Sequence, residues 1–225
     1  MNLNIIGDIH GRDSWKQLVD KNSINVFVGD YFDPYERIEF EQMKTNFNEI
    51  IKFKIDNPNT ILLLGNHDCH YLYPDDGIYS RYNFESAKEI NKLLDTHKDK
   101  FQIAYFNKDH NTIITHAGIS KTWYKNWFGE LDDNPQTICD NINYLFKENH
   151  KAFSFECCQY NIFDMYGIDK SQSPMWIRPQ ALIEDLIDNV KQVVGHTQVI
   201  KIATINNLTL CDCLGSMIDS AKICS

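Results

Sequence analysis

Five short segments constrain this chain more than any other feature: GDIHG at 7–11, GDYFD at 29–33, GNHD at 65–68, HAG at 116–118 and GHT at 195–197. Each places an Asp, Asn or His beside a glycine, and four of the five follow directly on a short apolar run. One such segment means little. Five in order, spread over almost the whole chain, describe a distributed set of oxygen and imidazole donors that suits two divalent cations.

The apolar runs 3–6 (LNII), 25–28 (NVFV), 60–64 (TILLL), 112–115 (TIIT) and 191–194 (KQVV) are short, β-branched and bounded by Gly, Asn or Asp, which predicts buried strands. Helical patterning falls between them at 12–21, at 36–55 and at 84–98. After Gly195 the pattern becomes VIKIATI, Asn206-Asn207, LTLCDC, a hairpin with a tight turn, with a further strand expected near 216–223. Strand–helix alternation early and hairpins late predict an α/β fold of two stacked mixed sheets flanked by helices rather than one doubly wound sheet. With 225 residues and 43% hydrophobic content, one domain over 1–225 is expected. The donor segments then occupy loops just after strands, where open α/β sheets place their ligands.

Residue by residue, Asp8 and His10 are separated by one position, so at an extended strand end they point the same way and can grip one ion. Asp30 is a natural bridging carboxylate, because its two oxygens can serve two cations. Asp33 is better placed to orient an imidazole. Asn66 offers a neutral oxygen, and His67 beside it is a candidate proton donor, since imidazole titrates near neutrality. On an extended backbone these two neighbours diverge and serve different partners. His116 and His196 complete the second metal. Any one of these histidines alone reads better as a hydrogen-bonded core imidazole; beside three Asp-bearing segments it does not.

The formal charge of −9 argues against strong nucleic-acid binding, which needs clustered Lys and Arg. Seven cysteines are an odd number, no secretory signal opens the sequence, and reduced thiols in the cytoplasm are expected. The CDC run at 211–213, the pair Cys157-Cys158 and Cys224 lack the paired C-x₂-C spacing of structural zinc sites and read as small buried hydrophobes. No apolar run is long enough to span a membrane.

Taken together, the motifs resemble those of calcineurin-like metallophosphoesterases, and more narrowly the phosphoprotein phosphatase group with its bacterial, phage and diadenosine tetraphosphatase-like members. The resemblance covers roughly residues 3–216. It implies that Asp8, His10 and Asp30 hold a first metal, that Asp30, Asn66, His116 and His196 hold a second, and that His67 and Asp33 form an acid dyad. Between the last two motifs lies MWIRP at 175–179, where relatives place a phosphate-gripping arginine, so Arg178 is the candidate. Asp212 resembles an aspartate that relatives carry near the site and is read as structural. One departure is clear: relatives follow the position of Asp33 with Arg-Gly, whereas this chain reads Asp33-Pro34-Tyr35, leaving Arg37 or Arg12 to reach in.

The reaction so implied is hydrolysis of a phosphate monoester by a hydroxide shared between two divalent metals, most simply manganese, with iron, zinc, nickel or cobalt also suited to mixed Asp, His and Asn ligands. A Ser/Thr protein phosphatase-like substrate is the leading expectation. Residues 119–178 are expected to form a helical cap rich in aromatic side chains, and stacking of a base there, with the HAG spelling, keeps a dinucleoside polyphosphate or other nucleotide as an alternative substrate. A non-catalytic binding scaffold is disfavoured, since every expected metal ligand is present.

Overall fold

The computed structural model describes residues 1–155, 164 and 166–224; the Cys157-Cys158 pair lies outside the described residues. Among the described residues, ten strands make two five-stranded sheets. The first sheet contains β1 (Leu3–Ile6), β2 (Ile24–Phe27), β3 (Ile61–Leu63) and β4 (Phe101–Gln102) as parallel neighbours, with one edge closed by the C-terminal strand Ala221–Ile223, antiparallel to β1. The second contains β5 (Ala104–Asn107), β6 (Thr112–Thr115), β7 (Lys191–Val194), β8 (Ala203–Ile205) and β9 (Leu208–Leu210) in the order β5-β6-β7-β9-β8. The Ala221–Ile223 strand is thus β10.

The two-residue period of each strand sorts its side chains into layers. Leu3, Ile5, Val26 and Leu63 meet Ile114, Val193 and Cys211 between the sheets. On the opposite face of the first sheet, Ile6, Phe27 and Leu62 pack on Met43, Phe47, Ile50 and Ile51 of α1 (Phe40–Asp56), and on Ile90 and Leu94. The outer face of the second sheet is covered by Trp123, Tyr124, Ile138, Ile142 and Phe146. These come from two helices within the 119–178 segment, Lys121–Phe128 and Pro135–Glu148. The result is helix, sheet, sheet, helix, as the patterning predicts.

Three local expectations change. Residues 12–21 form only a 3₁₀ turn over Ser14–Gln17: Trp15, Leu18 and Val19 pack inward at helical spacing, and Trp15 is pinned by its Nε1–H donating to Asn46 Oδ1 at 2.8 Å. The helix expected over 84–98 is α3 (Ala87–Thr96), preceded by α2 (Asn66–Leu72), which starts inside the GNHD segment where extended backbone was expected. β4 and β5 were not anticipated either; at two and four residues they are too short for a period to register. The two covering helices above are α4 and α5, and α6 (Pro179–Ile183) follows them. Among the described residues, no helix is long and apolar enough to cross a membrane. Cys69, Cys139, Cys211, Cys213 and Cys224 are free thiols.

Candidate metal centre and active site

Parallel β1, β2 and β3 deliver the 7–11, 29–33 and 65–68 segments to one edge of the first sheet, and β6 and β7 deliver His116 and His196 from the second. His10, Asp30, Asp33 and His196 all have positive φ, between 46° and 62°. Non-glycine residues there are strained, and such strain clusters at functional sites.

The donors converge on Asp30. His10 Nε2 lies 3.9 Å from Asp8 Oδ2 and 3.7 Å from Asp30 Oδ2, while His116 Nε2 lies 3.5 Å from the same Asp30 oxygen. Asn66 Oδ1 faces His116 Nε2 at 2.7 Å and His196 Nδ1 at 3.0 Å. Two donor groups therefore share one carboxylate. Two glycines make room for them: a Cβ on Gly65 would collide with the Asp30 carboxylate, and one on Gly195 with that of Asp8.

Hydrogen bonds fix which imidazole nitrogens stay open. His10 Nδ1–H donates to Phe32 O at 3.0 Å and His116 Nδ1–H to Val28 O at 2.9 Å, leaving both Nε2 lone pairs pointing inward. His196 Nε2–H donates to Trp176 O at 3.2 Å, which leaves Nδ1 inward. Burial keeps His10, His116 and His196 neutral, with His10 lowered to about 4. The 2.7 Å and 3.0 Å approaches to Asn66 Oδ1 thus set lone pair against lone pair, an arrangement a cation resolves.

The carboxylates give the same answer. Asp8 is fully buried and pushed well above the usual carboxylate range by burial first and by Asp212 and Asp30 second. Asp212 is buried with neither oxygen accepting a hydrogen bond from a donor, and burial and Asp30 raise it to about 7. Burial also opposes ionisation of Asp30, but the four surrounding imidazoles outweigh it and hold this acid below its ordinary value. A pair of hard or borderline divalent cations fits this mixture of carboxylate, amide and imidazole donors.

A second network stands beside the first. His67 Nδ1–H donates to Asp33 Oδ2 at 2.9 Å, His70 Nε2–H to the same oxygen at 2.8 Å, and the Tyr71 hydroxyl to Asp33 Oδ1. Burial would raise Asp33, yet these three donors keep it low. Burial would lower His67, yet the Asp30 charge and the Asp33 hydrogen bond raise it, favouring imidazolium. Asp68 holds the frame by accepting the backbone N–H groups of Asp30 at 2.7 Å, Tyr31 at 2.9 Å and Gly65 at 2.9 Å.

The donors open into a cleft of about 280 Å³, lined by Asp30, Tyr35, Asn66, His67, Trp176 and Arg178 among others. Arg178 is exposed and donates from Nη1 to Thr197 Oγ1 at 3.1 Å and His196 O at 3.4 Å. Of the 119–178 segment, Trp176 and Arg178 reach this cleft, while α4 and α5 lie on the sheet behind it.

A profile for the calcineurin-like phosphoesterases matches residues 1–200. The chain belongs to that family. Among solved structures, a protein serine/threonine phosphatase from Saccharomyces cerevisiae with similarity to human phosphatase PP5 is similar to it at TM-score 0.56 and 12% identity. That match covers 93% of this chain and 66% of the yeast chain, so this chain spans slightly less than two thirds of its neighbour. At such identity the likeness shows the fold. The phosphatase domain of the Legionella effector WipB matches at TM-score 0.38 and 14% identity, over 60% of this chain and 55% of the other. No curated protein sequence matches.

For this member of the family, the structure brings Asp8, His10, Asp30, Asn66, His116 and His196 around one point, puts His67 on Asp33, and places Arg178 at the rim. Asn66 and His67 do face different partners, because they occupy successive positions of a helix rather than of a strand. Neither arginine expected to replace the missing clamp is available. Arg12 Nε and Nη2 are tied to Glu36 at 2.6 and 3.0 Å, and Arg37 pairs with Glu39 at 3.1 Å while 92% exposed. Asp212, read as structural, lies against Asp8, raising it by its charge and sharing a proton with it. Asp68, His70, Tyr71 and Tyr35 were missed. The usable signal was the spacing NHDCHY, which on a helix places Asp68 and Tyr71 three residues apart and carries His67 and His70 one turn apart.

Proposed function

We propose that this protein is a two-metal phosphomonoesterase acting on Ser/Thr-type phosphoesters, and the observation that carries the reading is the sharing of Asp30 by two sets of inward donors. Asp8, His10 and Asp30 would hold one divalent cation, and Asp30, Asn66, His116 and His196 the other. Manganese is the expected metal, since oxygen and imidazole donors are mixed and no thiolate takes part. When bound, the pair would supply Lewis-acid charge to the phosphoryl oxygens and lower the pKa of a water for in-line attack.

The chain's own groups do the rest. Arg178 approaches from the rim, where a guanidinium can pair with phosphoryl oxygens. His67, raised and aimed by Asp33, carries the proton that the departing alkoxide needs. Tyr71 and His70 hold Asp33 so that the imidazole keeps one orientation. We place the whole chain in one catalytic domain, with the 119–178 segment contributing the cleft wall through Trp176 and Arg178. Free thiols at the described cysteines accord with a reducing compartment such as the cytoplasm.

The test is reconstitution of metal-stripped protein with Mn, Fe, Zn, Ni or Co, followed by turnover of p-nitrophenyl phosphate, phosphoserine peptides and diadenosine tetraphosphate. Manganese-supported hydrolysis with phosphopeptides preferred supports the reading. A preference for the dinucleotide moves the substrate class, and inactivity with every metal refutes the enzyme.

A further inference from the structure

The sequence holds four arginines, Arg12, Arg37, Arg81 and Arg178. Two are neutralised by glutamates, as described above. Among the described residues, no carboxylate pairs with Arg81 or Arg178; Arg178 lines the cleft, and Arg81 lies over Tyr35, which lines it too.

The Arg81 guanidinium lies over the Tyr35 ring, Cζ 3.6 Å from the centroid, and its Nη1 donates to Pro34 O at 3.5 Å. Tyr35 in turn packs its ring edgewise against the imidazole of His10 at 4.9 Å and lines the cleft with Asp30 and His67; Ser80 lines it too. The ring attracts the guanidinium face, and the N–H groups not donated to Pro34 O stay available for a planar or tetrahedral anion. Among the described residues, eight that are not glycine have positive φ. Three are Asn at turns, four are the site residues named above, and the eighth is Arg81, at 69°.

Position separates the two free arginines by task. Arg178 hangs from His196 and Thr197. Arg81 backs the wall made by Tyr35 and its own neighbour Ser80, and Tyr35 is two residues from Asp33; His67 and Tyr35 both contact the His10 ring. That is the wall from which a proton reaches the leaving group. The geometry points to Arg81, stacked on Tyr35, as a specificity-determining residue that binds a second anionic group of the substrate, carried on the leaving-group side a few bonds from the scissile phosphate. Resting on the phosphoesterase reading, this inference narrows the substrate to doubly anionic ones, the second group being either the next phosphate of a phosphoanhydride or a carboxylate near a phosphate ester. The physical need is plain: an anion entering beside Asp8, Asp30 and Asp212 meets repulsion wherever cations do not offset it.

Binding rather than turnover tests it. Manganese-loaded wild type, Arg81→Ala, Arg81→Lys and Arg37→Ala are titrated calorimetrically with orthophosphate, inorganic pyrophosphate and O-phosphoserine, with a melting curve confirming each fold. For Arg81→Ala, Kd for pyrophosphate, O-phosphoserine or both rises at least tenfold while Kd for orthophosphate rises less than threefold; Arg81→Lys falls between, and Arg37→Ala matches wild type. Whichever diacid loses affinity identifies the second group. Equal loss for orthophosphate overturns the assignment, as does no loss for either diacid, or a wild type that binds both no better than orthophosphate. Failure of the phosphoesterase reading shows separately, as absent turnover of p-nitrophenyl phosphate by wild type.

Discussion

Replacing Gly195 with alanine tests whether the site depends on carboxylate placement. The Gly195 backbone lies outside the left-handed region, so alanine brings no conformational penalty of its own. Its Cβ would stand 3.1 Å from Cγ of Asp8, closer still to the nearer Asp8 oxygen, and 2.7 Å from Val28 Cγ2. Ordinary carbon contacts lie at about 3.5–4 Å, so the Asp8 carboxylate must retreat by about 1 Å or more. It is fully buried and accepts the His196 N–H at 3.0–3.1 Å, so its retreat also disturbs His196. Overpacking of this kind costs about 1–3 kcal/mol, a fall of roughly 2–10 °C in Tm for a chain of this length. The functional loss is larger, because metal–ligand distances tolerate about 0.2 Å and a 1 Å misplacement costs about 100-fold in rate. Manganese titration by calorimetry and kcat/KM on p-nitrophenyl phosphate read the two effects, with Gly215→Ala as control, where the nearest atom is the flexible end of Arg12 at 3.3 Å. A folded Gly195→Ala protein that binds manganese like wild type and turns over within threefold of it refutes the reasoning.

Removing the imidazole in His67→Ala is expected to cost about 10²–10⁴-fold in kcat on an alkyl phosphate and much less on p-nitrophenyl phosphate, whose leaving group needs no proton; equal losses on both would contradict the acid role. Since Asp33 helps raise His67, Asp33→Asn moves the alkaline limb of the kcat–pH profile to lower pH, and a limb that stays put or moves up would count against the dyad. In metal-stripped protein, Asp212 keeps its proton up to about pH 7, against about 3.9 when unfolded. A raised acid stabilises fully below the unfolded value and loses that contribution as pH rises through the folded one. Urea denaturation should therefore show Asp212→Asn gaining on wild type between about pH 4 and 7, by at most about 4 kcal/mol, with manganese reversing the gain. An unchanged difference across that range would rule out the buried-acid account.

Legibility followed physical range. Strands β1, β2, β3, β6 and β7 were readable because each is a short, largely apolar or β-branched segment running into a glycine-bearing turn, and the family motifs stand at those ends. The Asn206-Asn207 hairpin was readable from turn chemistry, and Asn206 does take φ of 53°. What escaped depends on tertiary contact. Trp15 holds 14–17 as a short turn through Asn46, thirty-one residues away. Asp68 looks like one more motif acid until its three backbone donors from two strand ends are seen. Arg81 has no local pattern at all, and only the fold lays it on Tyr35.

The most direct measurement is an anomalous difference map from a manganese-loaded crystal. Two peaks with the Asp30 carboxylate between them, one beside Asp8 and His10 and the other beside Asn66, His116 and His196, are the expected result. A single peak, or density held instead by the other cluster of close donors, Asp33, His67 and His70, would contradict the account.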